Sequence, residues 1–169
     1  MTPSSTAAVD DDPIVMARRL WEEHGWTQAA AGMAMVTSVM RAQQLLLARV
    51  DAVLKPFGLT LARYEVLMLL RFSARGSLPL KRIGERLQVH PTSVTSAVDR
   101  LEAQGYVVRT PHPTDRRATL AVLTDEGRRT VELATDAVNA GVFTQPGLDG
   151  PDVERLVSLL GALRASYGG

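Results

Sequence analysis

Four hydroxyl side chains fall within five consecutive residues, and their spacing suits contact with DNA bases. The segment 90–105, HPTSVTSAVDRLEAQG, predicts a helix that begins at a proline and stops at a glycine. Val94, Val98 and Leu101 recur at helical spacing and predict its buried face. The opposite face carries Thr92, Ser93, Thr95 and Ser96. Hydroxyl groups donate and accept hydrogen bonds and are short enough to reach base edges in the major groove. We therefore predict that some of these four residues read DNA sequence, although hydroxyls at the start of an isolated helix could serve solubility alone.

Basic residues are concentrated around this helix. The segment 81–117 holds seven basic and four acidic residues and has a net charge of +3, whereas the whole chain has a net charge of +1. A basic sector on a near-neutral protein is typical of phosphate binding. Three arginines are predicted to contact the DNA backbone, where they position the protein without reading sequence. They are Arg82, Arg86 and Arg100.

A hairpin with two adjacent arginines, Arg116 and Arg117, is predicted directly after the helix. An arginine at such a tip can enter the minor groove, which has a negative potential, or contact the backbone. Asp115 precedes the two arginines, and we predict that it pairs with one of them and holds the hairpin in shape. An ordinary solvated turn is the alternative interpretation.

The elements that must position these residues are mainly helical. Apolar periodicity and breakers predict helices at 13–23, 29–54, 61–73, 81–87, 91 to about 104, 125 to about 142, and from about 151 onward. Short strands are predicted at 77–80, 106–110 and 119–123, and Thr60 and Thr124 stand where helix caps are expected. Two helices joined by the turn at 88–90 match a helix-turn-helix motif. The predicted fold class is mainly α with a small β-wing, in which a winged helix-turn-helix DNA-binding lobe accompanies a helical dimerisation region.

Composition argues against other classes of protein. The absence of cysteine excludes disulfides and thiolate metal sites, and the three histidines have no ligand spacing. No glycine-rich phosphate loop and no Gly-x-Ser-x-Gly motif is present, so we expect no catalytic residue, no metal and no cofactor. No apolar run approaches the ~18 residues of a membrane span, and no secretory signal is evident. We expect a cytoplasmic protein without a membrane partner.

The chain resembles the multiple-antibiotic-resistance regulator (MarR) family of bacterial winged-helix transcription factors over roughly residues 30–166. The resemblance rests on the run HPTSVTSAVDRLEAQGYVVR, the wing sequence at 114–117 and the LTDEGR sequence at 123–128. His112 departs from the family pattern, which usually has an acid near this place in the wing. The resemblance implies an obligate homodimer formed by the N- and C-terminal helices.

Apolar stripes at 33–54 and 153–163 support a dimer independently, because they are too apolar to leave exposed. The predicted organisation has four parts. They are a disordered tail at 1–12, dimerisation helices at 13–56, the DNA-binding lobe at 57–123 and further dimerisation helices at 124–169.

A finer resemblance concerns ligand response. The predicted helix at 13–23 is similar to the extra N-terminal helix of the family's urate-responsive subgroup. Trp21, Glu65 and Arg109 fall at three positions of that subgroup's ligand pocket, whereas Ala97 stands where a second arginine is expected. The resemblance implies a pocket for an aromatic or anionic effector, and Ala97 argues against urate. A packing tryptophan and a structural ion pair are the alternative.

Together these patterns predict a ligand-responsive transcriptional regulator. A repressor is the first hypothesis, and the sequence leaves open whether binding represses or activates. The predicted partners of the regulator are double-stranded DNA with a pseudo-palindromic operator, a second copy of the chain and a small-molecule effector. The alternative is a winged-helix module that binds protein and has no operator.

Overall fold

The computed structural model describes residues 12–115 and 118–167, and the chain forms two compact units, Met1–Ala48 and Arg49–Gly169. In the first unit, helix α1 (Pro13–Glu23) begins at Asp12, whose carboxylate accepts a hydrogen bond from the Ile14 amide at 2.8 Å. Helix α2 (Thr27–Leu54) starts in the first unit and ends in the second. Both predicted helices are present, and α2 begins two residues earlier than the sequence pattern indicated. The four-part division of the chain stays a prediction.

The second unit holds the remaining elements. After a 3₁₀ turn (Lys55–Phe57), the chain forms α3 (Leu61–Phe72), β1 (Ser77–Pro79), α4 (Leu80–Leu87) and α5 (Pro91–Ala103). It continues through β2 (Val107–Pro111), β3 (Thr119–Leu123), α6 (Asp125–Val138), a π-helical turn (Asn139–Phe143) and α7 (Gly150–Tyr167). Within residues 12–115 and 118–167, no helix is both long and apolar enough to cross a membrane.

The three strands form one antiparallel sheet in the order β1-β3-β2. Strand β3 lies in the centre, with Val122 opposite Ser77 of β1 and Leu123 opposite Val107 of β2. Pro79 ends β1 at the sheet edge, where a missing amide donor is tolerated. This architecture confirms the predicted fold class, mainly α with a small β-wing.

A single hydrophobic core in the second unit determines the position of α5. Its fully buried members come from seven elements, and they include Leu54, Leu67, Leu70, Ile83, Val98, Leu101, Val107, Ala121 and Val131. Helix α5 buries the predicted face of Val94, Val98 and Leu101 in this core. Because an isolated helix of this length is marginal in water, packing against the core fixes both the helix and its orientation.

The cap of α3 differs from the sequence prediction. Thr60 precedes the helix with extended backbone, but its side chain makes no capping hydrogen bond. Instead, the Asp51 carboxylate of α2 accepts a hydrogen bond from the Leu61 amide at 2.7 Å, and the Thr60 hydroxyl accepts one from Arg63 Nε at 3.3 Å. An acceptor ten residues away cannot be found from the local pattern that identifies an N-cap.

We expect Asp51→Ala to lower the free energy of unfolding by about 1 kcal/mol, the usual effect of removing a helix cap. Thr60→Val is the matched control, because it preserves side-chain shape and removes a hydroxyl that does not cap the helix. Urea unfolding followed by circular dichroism at fixed protein concentration measures both. A larger loss for Thr60→Val than for Asp51→Ala would show that the threonine is the cap.

Candidate nucleic-acid interface

Helix α5 begins with a proline preceded by a histidine cap. His90 has extended backbone, and its Nδ1 atom accepts a hydrogen bond from the Thr92 amide at 3.3 Å. Pro91 occupies the first helical position, where its missing amide costs no hydrogen bond. The turn from α4 passes through Gln88, which has a left-handed φ of 55°. The start of α5 therefore projects from the core with its polar face outward.

The four hydroxyl residues of α5 are exposed, but their hydroxyl groups are not equally available. Thr92 Oγ1 lies 3.1 Å from His90 Nδ1, and Thr95 Oγ1 donates to the Pro91 carbonyl at 3.1 Å. Within the described part of the chain, the hydroxyls of Ser93 and Ser96 have no hydrogen-bond partner. These two serines can thus reach a base without first breaking an internal hydrogen bond.

The predicted backbone-contacting arginines are exposed around the same surface. Arg82 on α4 is paired with Glu85 at 3.1 Å, and both side chains remain largely exposed. Among the described residues, Arg86 and Arg100 make no ion pair. Both guanidinium groups are therefore available to phosphates. The predicted wing arginines, Arg116 and Arg117, lie outside the described residues.

The described part of the hairpin tip is organised around a histidine. His112 Nδ1 accepts hydrogen bonds from the amides of Thr114 and Asp115, at 3.4 and 3.2 Å. The His112 amide donates to the Ala118 carbonyl, and the Ala118 amide donates to the Asp115 carbonyl, each at 3.0 Å. The predicted pairing of Asp115 with Arg116 or Arg117 involves positions outside the described residues and stays a prediction.

Arg109 connects the wing to α5. Its guanidinium pairs with Glu102 and with Asp99, the latter at 2.6 Å, and it lies 3.4 Å from the Thr95 carbonyl. The Arg109 amide also donates to the Glu102 carboxylate at 3.0 Å. Burial lowers the pKa of the guanidinium, but hydrogen bonds to Glu102 and Asp99 outweigh this and raise it above its usual value. Arg109 is thus held in ion pairs with Asp99 and Glu102, and its role in ligand binding stays a prediction.

A second group of contacts fixes the C-terminal end of α5. Gln104 Nε2 donates to the Gly58 carbonyl at 2.9 Å, and its Oε1 accepts from Arg63 at 3.3 Å. The Tyr106 hydroxyl donates to the Phe57 carbonyl at 3.3 Å. Gly58 has a φ of 67°, and a Cβ there would lie 2.6 Å from Gln104 Nε2. The junction of α2 and α3 is therefore attached directly to the end of α5.

The other predicted pocket residues lie in different units. Trp21, in the first unit, packs edge-on against Trp26 with ring centroids 5.3 Å apart, and it lines a shallow concave surface with Gly25 and Thr27. Glu65 lies on α3 in the second unit, where desolvation raises the pKa of its carboxyl group. A shared ligand pocket with Arg109 stays a prediction.

Comparison with known proteins assigns the family. Residues 57–118 match the MarR family. YhbI, an uncharacterized HTH-type transcriptional regulator of Bacillus subtilis (strain 168), is 32% identical over 116 residues, which cover 67% of this chain and 73% of the relative. Sco5413, a MarR family transcriptional regulator from Streptomyces coelicolor, is 51% identical with a TM-score of 0.75, over 82% of this chain and 96% of that one. The chain belongs to the MarR family.

This MarR family protein also resembles a repressor whose DNA complex is known. CouR bound to a 23-mer DNA duplex is 30% identical with a TM-score of 0.67, over 75% of this chain and 89% of that one. The structure of CouR from Rhodococcus jostii RHA1 bound to p-coumaroyl-CoA is also known. It is 29% identical to this chain with a TM-score of 0.66, over 76% of this chain and 90% of that one. The protein is a DNA-binding transcriptional regulator of this family.

Sequence reasoning missed the contacts that hold the interface in shape. Asp99 and Glu102 entered it only among the four acidic residues of the segment 81–117, and Gln104 had no role. The one available signal was spacing: residues 99 and 102 are three apart and share a helix face. Their common partner on the following strand became visible only in the folded chain.

Proposed function

We propose that the protein is a homodimeric, ligand-responsive repressor that binds a pseudo-palindromic operator. Helix α5 enters the major groove, where Ser93 and Ser96 read bases directly and Thr92 and Thr95 contribute after releasing their internal hydrogen bonds. Arg82, Arg86 and Arg100 contact phosphates and fix the register. Arg116 and Arg117 enter the minor groove next to it.

The availability of the two serines carries this proposal. A polar group on a helix surface commonly satisfies itself within the helix, as Thr95 does through Pro91. Ser93 and Ser96 instead remain exposed and unengaged within the described part, outside the buried face of α5. That combination suits a surface whose hydrogen-bond partners are supplied by DNA.

The dimer is supported by exposed apolar side chains on α2 and α7. Each of these side chains is more than a third exposed, and they are Met35, Val36, Met40, Leu45, Leu46, Leu47, Leu156, Val157 and Leu159. Clusters of this kind on a small protein mark an association surface, and a two-fold dimer is the most common way to bury one. Two copies of α5 about one turn of DNA apart would read a pseudo-palindrome.

Regulation by an effector is supported by the ligand complex of CouR and by the position of Arg109. An anionic effector that engages Arg109 competes with Asp99 and Glu102 for the guanidinium. Binding would then loosen the wing from α5 and shift the population away from the DNA-competent state. Trp21 and Glu65 are the proposed aromatic and polar contributors, and Ala97 removes a cation that urate would need.

Operator binding is tested with duplexes selected by the purified full-length protein from a random-sequence library at pH 7.5. We expect an inverted repeat, and an affinity that falls steeply with salt because bound cations are released from the DNA. Arg116→Ala with Arg117→Ala is expected to weaken binding about tenfold, because the substitution removes both arginines that we propose to enter the minor groove.

The matched control also removes two arginine side chains, but neither of them belongs to the wing. Arg18→Ala with Arg71→Ala breaks two exposed ion pairs, with Glu22 and Glu132, and is expected to leave affinity within about twofold. Recovery of no enriched sequence would contradict the proposal. Unchanged affinity in the wing variant would contradict the wing's role and favour a winged-helix protein-interaction module.

A further inference from the structure

In two of the three histidines of this chain Nδ1 accepts hydrogen bonds, whereas in the third it donates one. Nδ1 of His90 accepts a hydrogen bond from the Thr92 amide, and Nδ1 of His112 accepts from the amides of Thr114 and Asp115. A backbone amide can only donate, so Nδ1 must be unprotonated in both residues. These contacts therefore require the neutral ring with its proton on Nε2.

His24 shows the opposite arrangement. Its Nδ1 lies 2.7 Å from the Leu20 carbonyl, which can only accept, so Nδ1 carries a proton there. A charged imidazolium satisfies that contact as well as the neutral ring does. Protonation would leave the His24 contact intact, but it would remove the hydrogen bonds that Nδ1 of His90 and Nδ1 of His112 accept.

We propose that His90 and His112 are positioning residues for DNA binding, and that each shapes its DNA-contacting element only as a neutral imidazole, so that acidification weakens the operator complex. This inference rests on the proposed function. His90 caps the first turn of α5, next to Ser93, and His112 organises the described part of the wing tip. Loss of both acceptors would release the two elements that hold the DNA.

The positive end of the α5 dipole adds to this effect at His90. A cation at a helix N-terminus is disfavoured, so a protonated His90 loses its capping bond and also acquires an unfavourable interaction with the helix. Imidazole is the side chain that ordinarily changes charge between pH 5 and 8.

In the described part of the chain, the charged side chains near the two histidines form no hydrogen bond or ion pair with the imidazole rings. Near the wing tip the charged residues are Asp115, the β2 residue Arg109, which is held by Asp99 and Glu102, and Arg116 and Arg117 outside the described residues. The charged residues of α4 and α5, the helices that flank His90, are Lys81, Arg82, Glu85, Arg86, Asp99, Arg100 and Glu102, and Arg164 of α7 lines a concave surface with Gln88 of the turn before His90.

Asparagine provides the decisive substitution. Its side-chain oxygen accepts a backbone amide, it is favoured at N-caps and in Asx turns, and it does not titrate. The probe is the duplex selected at pH 7.5, and its affinity is measured by fluorescence anisotropy from pH 7.5 to 5.5 at constant ionic strength. We expect the wild-type affinity to fall about tenfold over this range, the effect of losing caps on both contact elements.

The double variant, His90→Asn with His112→Asn, is expected to bind within about threefold of wild type at pH 7.5 and to lose most of the pH dependence. His24→Asn is the control and is expected to retain the wild-type pH profile. Near-ultraviolet circular dichroism at each pH verifies that the fold persists.

Two results would overturn the inference while leaving the proposed function in place. One is a wild-type affinity that stays level or rises on acidification, because added positive charge near phosphates then outweighs the lost caps. The other is a double asparagine variant with an undiminished pH dependence. Absence of any selective binding at pH 7.5 would instead overturn the proposed function, and this inference with it.

Discussion

Gly127→Ala is expected to lower the free energy of unfolding by about 3 kcal/mol, the upper end of the usual cost of overpacking. A Cβ at this position would lie 2.1 Å from the Tyr106 carbonyl oxygen and 2.9 Å from a methyl group of Leu123. The carbonyl cannot move away freely, because it accepts a hydrogen bond from the Thr124 amide at 3.1 Å. The Gly127 amide is itself held by Thr124 Oγ1 at 3.0 Å. The first turn of α6 and the residue before β2 must therefore separate.

Gly150→Ala is the matched control for this substitution. Gly150 also lies in the first turn of a helix, α7, but a Cβ there has no neighbour within 4 Å. We expect its effect to stay within about 0.5 kcal/mol. Urea unfolding by circular dichroism at one fixed subunit concentration compares the two, since association also contributes to stability. Similar effects of the two substitutions would contradict the close packing of α6 on Tyr106.

Arg109→Met is expected to lower the free energy of unfolding by about 2 kcal/mol, within the range for hydrogen bonds to charged groups. The methionine preserves most of the apolar side chain and removes the guanidinium that pairs with Asp99 and Glu102. The Arg109 side chain is only 24% exposed, so these ion pairs are less screened than ordinary surface pairs. Loss of the connection between β2 and α5 is also expected to weaken operator binding about tenfold, because the two DNA-contacting elements are no longer held together.

An exposed ion pair of similar geometry provides the control. Arg129 Nη2 lies 2.6 Å from Glu126, but the two side chains are 66% and 58% exposed. Arg129→Met is expected to leave both the stability and the operator affinity close to those of the wild type, because solvent screens an exposed ion pair. Unfolding by urea and anisotropy with the selected duplex give the two readouts. If Arg109→Met retained full operator affinity, the ion pairs would have no role in positioning the wing.

Much of the fold follows from local sequence pattern, and particular elements show why. The periodicity of Val94, Val98 and Leu101 correctly identified the buried face of α5, because a helix with one apolar stripe can pack in only one orientation. Thr124 was correctly identified as the cap of α6, since its partner Gly127 is only three residues away. Strand β3 was found at its observed bounds, between a turn and that cap.

Local pattern failed where the partner is distant. Thr60 looked like the cap of α3, but Asp51 supplies the acceptor from the preceding helix. The ion pairs of Arg109 with Asp99 and Glu102 were likewise not indicated by the sequence, and the ligand-binding position of Arg109 stays a prediction. Each of these pairings depends on how two elements meet, which spacing along one element does not encode.

The sequence by itself determined the family, the helix-turn-helix with its wing, and the set of hydroxyl and basic residues that we propose to face DNA. These properties depend on residue type and on periodicity within single elements, so they are readable before the chain folds. Only the tertiary structure decided which hydroxyls are available, with Ser93 and Ser96 unengaged in the described part and Thr92 and Thr95 already bonded. It also decided that Arg109 joins the wing to α5, because a hydrogen bond of a few ångströms requires two elements to be packed together first.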